Sequence, residues 1–328
     1  MAEVRNDSLY FAIKPNMTKT TLILGAGASA PYKFPTGFEL TQKILALEGN
    51  IELLIYFSDQ NTPLVRKFFQ SFRMSTATSI DSFVAKNPRY TEVARTAIAM
   101  VLLEMEDHEV FFNHTIDDHW YRYLVNKLCP DSWDAFDPSR LRIVTFNYDV
   151  SLEFFLATAV SHMYGKGETD VIAKLAKLEI LHVYGMLDRP LGTYGQIRTD
   201  LNARDEKAEI TMHDVKRASA GIHLMGEGRE EARHLQVIQN IIHTSDQIGI
   251  LGFGFDAVNV DRIFGGIAFA GPDNGKKMFA TTKGMTEAES NAAMLQINKR
   301  DLRPYQNAYL MQKDCDCTTL LRESLIIS

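Results

Sequence analysis

Four clusters of small or polar residues stand where apolar runs of the chain stop, and each has side chains that can do chemistry. Gly25-Ala26-Gly27-Ala28-Ser29 follows Thr20–Leu24; residues this small let a backbone approach an anion such as a pyrophosphate, and Ser29 adds a hydroxyl donor. Ala30 replaces the third glycine of the dinucleotide fingerprint G-x-G-x-x-G, and Pro31 interrupts an immediate long helix, so a plain tight turn also accounts for the motif. Asn147 and Asp149, in Thr145-Phe146-Asn147-Tyr148-Asp149, close a second apolar run. A carboxamide there can orient water or a hydroxyl, while Asp149 serves equally well as a cap for the helix that follows. His182, in Leu181-His182-Val183-Tyr184-Gly185, is an imidazole inside an apolar strand, either packed and hydrogen-bonded or turned with Tyr184 toward a common cleft. Gly252-Phe253-Gly254-Phe255-Asp256 closes a further run, and its two glycines allow backbone approach to a ligand or simply a turn before a helix.

Other polar clusters read as structural. Ser79-Ile80-Asp81-Ser82-Phe83 looks like a helix start with Ser79 as cap. His108, His114 and His119 lie in an acidic stretch with no H-E-x-x-H spacing, which reads as a solvated face without a metal. Glu48 follows Gly27 by 21 residues, where a dehydrogenase would carry its ribose-binding acid, yet it ends a helical pattern and not a strand.

The elements that must position these clusters follow from periodicity. Short apolar runs predict strands at Thr20–Leu24, Arg142–Phe146, Glu179–Val183, Gln247–Leu251, Lys277–Thr281 and Ala308–Met311. Helical spacing is present at Ile98, Val101, Leu102 and Met105, at Trp120, Tyr123, Leu124 and Leu128, over Ser151–Val160, and around 230–244, 286–299 and 317–325. This alternation predicts an α/β fold: a Rossmann-like, doubly wound, mainly parallel sheet with a helical insertion. The expected division is a nucleotide-binding core at 1–37 and 138–328 with an insertion subdomain at 38–137. The polar, aperiodic segment from Tyr184 to about Glu227 reads as a long surface excursion that can act as a lid.

Composition excludes several classes. Of 328 residues 45% are apolar and 23% charged, as in folded globular proteins, and the net charge of −6 provides no global cationic field for nucleic acid. Three cysteines cannot make a four-thiolate zinc site or a disulfide framework. Met1–Lys19 has no continuous signal-peptide core, and no apolar run approaches the roughly 18–20 residues of a membrane span. The expectation is a soluble, cytoplasmic protein with no metal, no membrane contact and no direct nucleic-acid binding.

Taken in order, GAGAS, FNYD, a strand-borne histidine before Tyr-Gly, and GFGF resemble the sirtuin-like family, in particular its bacterial branch in anti-phage defence. The likeness covers most of the chain from Thr20 onward. It implies NAD as substrate, with Gly25, Ala26, Gly27 and Ser29 along the pyrophosphate and Gly252, Gly254 and Phe255 among the dinucleotide-binding residues. It further implies that Asn147 holds the nicotinamide ribose or the attacking water, that His182 is the catalytic histidine, and that Asp149 forms part of the site floor. Deacylase sirtuins carry a four-cysteine zinc module and a His-Gly pair; this chain lacks the module and reads Tyr184-Gly185, which argues against protein deacylation.

The chemistry fits these residue types. In NAD the leaving nicotinamide is a cationic pyridinium that departs neutral without a general acid, so positioning and electrostatics at the ribosyl centre dominate. A histidine near its ordinary pKa of about 6.5 can accept a proton from water or a ribose hydroxyl. The resulting expectation is a NAD glycohydrolase used as an abortive-infection effector, controlled by self-assembly into a homo-oligomer or by a partner. The resemblance puts a HerA-type DNA-translocating ATPase first among partners and an Argonaute-like protein second. The alternatives are an NAD-dependent protein deacylase, a sensor module that binds NAD or ADP-ribose without turnover, and a conventional oxidoreductase.

Overall fold

The computed structural model describes residues 18–187, 210–224, 229–265, 277–298, 309–324 and 326–327. Strand β1 (Thr20–Leu24) is followed by helices α1 (Gly37–Ala46), α2 (Ile51–Tyr56), α3 (Ser58–Ser75), α4 (Ile80–Lys86), α5 (Thr91–Leu103), α6 (His108–Phe111) and α7 (Trp120–Leu128). The chain returns to the sheet with β2 (Leu141–Thr145), then passes through α8 (Ser151–Tyr164) and α9 (Glu168–Leu175) to β3 (Glu179–His182). Helices α10 (Met212–Ser219) and α11 (Arg229–His243) lead to β4 (Gln247–Leu251), α12 (Ala257–Phe264), β5 (Lys277–Thr281), α13 (Glu287–Asn298), β6 (Tyr309–Lys313) and α14 (Cys317–Ser324).

The six strands form one sheet in the order β3-β2-β1-β4-β5-β6, and every pairing is parallel. This is the Rossmann-like, doubly wound α/β arrangement. Every residue of β1 and β2 is buried, as expected of parallel strands covered by helices on both faces, which suits their apolar and β-branched residues. Arg142 is the exception in composition. Its guanidinium donates to Thr244 Oγ1 (2.9 Å) and Ser245 Oγ (3.2 Å) at the lower edge of the sheet, which gives both terminal nitrogens an acceptor there.

Topology decides where a ligand can sit. The chain winds outward from β1 to β3 on one side and from β4 to β6 on the other, so the direction reverses between the neighbours β1 and β4. Open α/β sheets present their ligand crevice at such a switch point, beyond the carboxyl ends of the strands. Register brings the tips level, with Leu24 opposite both Thr145 and Leu251. Gly25, Phe146 and Gly252 therefore leave the sheet side by side.

Two local expectations change. The excursion after Tyr184 contains helix α10, and Gly185 forms an antiparallel bridge with Ile222; positions 188–209 and 225–228 of that segment lie outside the described residues. The acidic stretch around His119 is not a fully solvated face, because His119 is buried and Asp118 accepts from the backbone of Cys317 and Thr318 at the start of α14. Among the described residues no helix is long and apolar enough to cross a membrane.

Candidate functional site

The glycine turns after β1 and β4 are joined to each other. Gly25 N–H donates to Leu251 O (3.0 Å), Gly27 N–H to Gly252 O (2.9 Å), and Gly252 N–H to Thr281 Oγ1 (2.8 Å). Gly252 has φ +56°, and a Cβ on it would lie 2.1 Å from the Ala28 nitrogen. No side chain fits there, which is the local reason for glycine. Two one-turn 3-10 helices, Ala26–Ala28 and Ala30–Tyr32, follow β1 in place of a long helix, with Pro31 near the start of the second. Ala28 and Ser29 N–H groups bond back to Gly25 and Ala26 carbonyls. The amides of Gly25, Gly27, Ala28 and Ser29 are thus committed within the protein, and these glycines serve close approach of backbone to backbone.

The helical layer grips this turn. Trp120 Nε1–H donates to Ala28 O (2.7 Å), and Tyr32 stacks on Tyr121 with ring centroids 3.8 Å apart while its hydroxyl accepts from Tyr121 N–H (2.9 Å). Tyr121 Oη lies 2.8 Å from Ser151 Oγ at the start of α8.

Above the tips lies a cavity of 1110 Å³. Gly25, Ala26, Gly27, Ser29, Asn147, Asp149, Gly252 and Gly254 all line it, so the strand-tip motifs identified in the sequence converge on one crevice. Phe255 does not. It is buried at φ +52° and packs edge-on against Phe253, which does face the cavity. Glu48 is also elsewhere, paired with Arg73.

Asn147 is held at its backbone by N–H donation to Thr145 Oγ1 (3.1 Å) and at its side chain by Nδ2–H donation to Ser29 Oγ (2.8 Å). Its Oδ1 is buried without a hydrogen-bond partner among the described residues. An unpaired buried acceptor is costly, and this one belongs to a residue that lines the cavity. Asp149 accepts from Ser151 N–H (3.2 Å) and from the Ser151 hydroxyl, so from one residue ahead of the N-cap Val150 it holds the first residue of α8, and it also lines the cavity. Burial pushes its carboxyl above the ordinary aspartate value, against the opposing hydrogen bonds from Ser151 and Ser29.

His182 does not line the cavity. Register sets it opposite Thr145, the last residue of β2, two residues before Asn147 in the chain. It is 3% exposed, and both ring nitrogens are occupied: Nδ1 lies 2.7 Å from Asn147 O and Nε2 2.7 Å from Glu153 Oε1. Burial disfavours its charged form, but the Glu153 carboxylate and the hydrogen bonds to Glu153 and Asn147 outweigh that, and its pKa is raised. Tyr184 does reach the cavity, because β3 ends at His182 and simple alternation stops with it.

The sequence reading missed one wall. Tyr148 Oη–H donates to Asp81 Oδ1 (2.8 Å), and burial raises the Asp81 pKa. Tyr184 donates to Asn259, and the Arg262 guanidinium lies 5.3 Å from the Tyr184 ring centroid. Asp81, Tyr148, Tyr184 and Asn259 all line the cavity. Phe146 packs against both Tyr184 and Phe253, giving this end an aromatic lining beside a carboxyl group. At the opposite end stand Thr282, Lys283, Cys315 and Asp316 from the tips of β5 and β6. Aspartates outnumber cationic side chains around the cavity, with Lys283 the cation among the described lining residues. Neither the protein-family models nor the curated proteins compared with the chain give a match.

Proposed function

We propose that the chain is a NAD glycohydrolase of the sirtuin-like kind, releasing nicotinamide and ADP-ribose. The observation that carries this reading is Asn147, which lines a large crevice over a topological switch point and whose buried Oδ1 has no hydrogen-bond partner among the described residues. Such crevices accept dinucleotides, and the flanks differ as the two halves of NAD differ. The aromatic and carboxyl-bearing wall of Phe146, Tyr148, Tyr184 and Asp81 suits a cationic pyridinium. The Thr282 and Lys283 end supplies a hydroxyl and the cation for the ribose and phosphate portion.

In this reading the nicotinamide–ribose bond breaks with its electron pair leaving on the pyridine nitrogen. Water bonds to the ribose carbon and releases a proton. Asn147 Oδ1 accepts a hydrogen bond from that water or from a ribose hydroxyl and fixes it against the reacting carbon. The defence role, and control by self-assembly or by a HerA-type partner, belong to the same proposal, since an enzyme that consumes a central dinucleotide needs restraint.

Chromatography of NAD incubated with wild type, Asn147→Ala and His182→Ala tests it. Asn147→Ala is expected to slow nicotinamide release by about 10²–10³, the usual cost of one preorganised polar group; equal rates refute the assignment. One observation favours a second reading, a sensor that binds NAD or ADP-ribose without turnover: neither ring nitrogen of His182 reaches the cavity. Saturable NAD binding with no nicotinamide released, with or without a partner, selects it.

A further inference from the structure

The hydrogen bonds around His182 fix a proton count. Asn147 O is a carbonyl and only accepts, so His182 Nδ1 carries a hydrogen and donates across the 2.7 Å contact. The Nε2···Glu153 Oε1 contact is also 2.7 Å, and two bare acceptors do not sit at that distance. One further proton is therefore shared by the ring and the carboxyl, whichever atom carries it. With that proton the pair is neutral overall; without it a lone pair faces a carboxylate in a site where Glu153 is 4% and His182 3% exposed.

We propose that Glu153 is a positioning residue for Asn147, acting through His182 as a latch closed by one shared proton. The inference rests on the reading of Asn147 as the group that orients the reactant. Glu153 lies on α8 and His182 on β3, so the latch ties α8 and β3 to the tip of β2 directly below the cavity wall. Other titratable groups face it from each packed element. Asp149 stands in the loop before α8, and its charge favours the protonated ring. His234 on α11 donates Nε2–H to His182 O (2.7 Å) and is held neutral mainly by burial, with His223 beyond it. Tyr121 on α7 feels both Asp149 and Glu153. Among these groups, only Glu153 and Asn147 are bonded to the His182 ring by the contacts above.

The deciding variant is Glu153→Gln. A glutamine amide donates to a bare Nε2 while Nδ1–H still reaches Asn147 O, so it keeps the geometry without the extra proton. In wild type, nitrogen-detected NMR of labelled histidine should show His182 titrating above the ordinary value of 6.5, and the Asn147 amide resonances should move in the same step. In Glu153→Gln the ring should stay in the Nδ1–H form and Asn147 should not move. Nicotinamide release by wild type should fall tenfold or more between pH 7 and the alkaline side of that step, and that of Glu153→Gln by less than about twofold. His182 titrating alike in both proteins, or Asn147 resonances indifferent to the step, overturns the latch. A wild type that releases no nicotinamide removes the proposed reaction, and the NMR titration then decides the latch by itself.

Discussion

The two glycines of Gly252-Phe253-Gly254 stand in opposite environments, and the difference has a measurable size. A Cβ on Gly252 would meet Ala28 N at 2.1 Å and Gly27 C at 2.3 Å, both backbone atoms, at φ +56°. A Cβ on Gly254 meets nothing within 4 Å. In Gly252→Ala the left-handed backbone costs about 1–2 kcal/mol, and the turn must shift by roughly an ångström away from Gly27. That shift breaks Gly27 N–H···Gly252 O and strains Gly252 N–H···Thr281 Oγ1, at about 1 kcal/mol each. The expected loss is about 3–4 kcal/mol, or about 4–6 °C in melting temperature for a chain of this length. Gly254→Ala should stay within about 0.5 kcal/mol while lowering affinity for NAD, because its methyl group enters the space above the tips. Thermal unfolding followed by circular dichroism, with equilibrium dialysis of NAD, reads both. A Gly252→Ala protein that melts within about 2 °C of wild type refutes the reasoning that the two turns are welded.

Further outcomes follow from single contacts. Trp120→Phe leaves the Ala28 carbonyl without its indole donor and should cost about 1–3 kcal/mol in urea unfolding; no change would mean that the indole does not hold the turn. Burial raises the Asp149 pKa above 3.8, so between that value and the raised one the folded chain binds more protons than the unfolded chain. Stability from this group therefore falls as pH rises through that window. Asp149→Asn should remove that slope and be at least as stable as wild type above the window, and unfolding midpoints measured from pH 4 to 8 decide it; a variant that loses stability relative to wild type as pH rises contradicts the sign.

The sheet was legible because each strand is a short apolar run closed by small or polar residues, and predicted bounds such as Glu179–Val183 and Lys277–Thr281 lie within a residue of β3 and β5. The strand-tip motifs were legible for the same reason, since parallel strands bring their carboxyl ends to one edge. What a run of residues does not reveal is which partner a side chain finds across the fold. His182 and Tyr184 look equivalent by alternation, yet the strand ends between them and only Tyr184 reaches the crevice. Glu153 did leave a mark, a single carboxylate within the apolar stretch Leu152, Phe154, Phe155 and Leu156, buried all round the helix. Its meaning depends on His182, 29 residues later. Asp81 read as an ordinary first-turn acid because Tyr148, 67 residues away, supplies its hydroxyl.

Trp120 and Tyr121 lie at the head of α7, yet their bonds end on Ala28, Tyr32 and Ser151. The helical layer is therefore mechanically coupled to the floor of the crevice. A displacement of α7 would be carried through an indole and a stacked tyrosine pair to the Ala28–Ser29 turn, and from Ser29 to the amide of Asn147. A helix outside the crevice thereby has leverage over its wall without ever touching it.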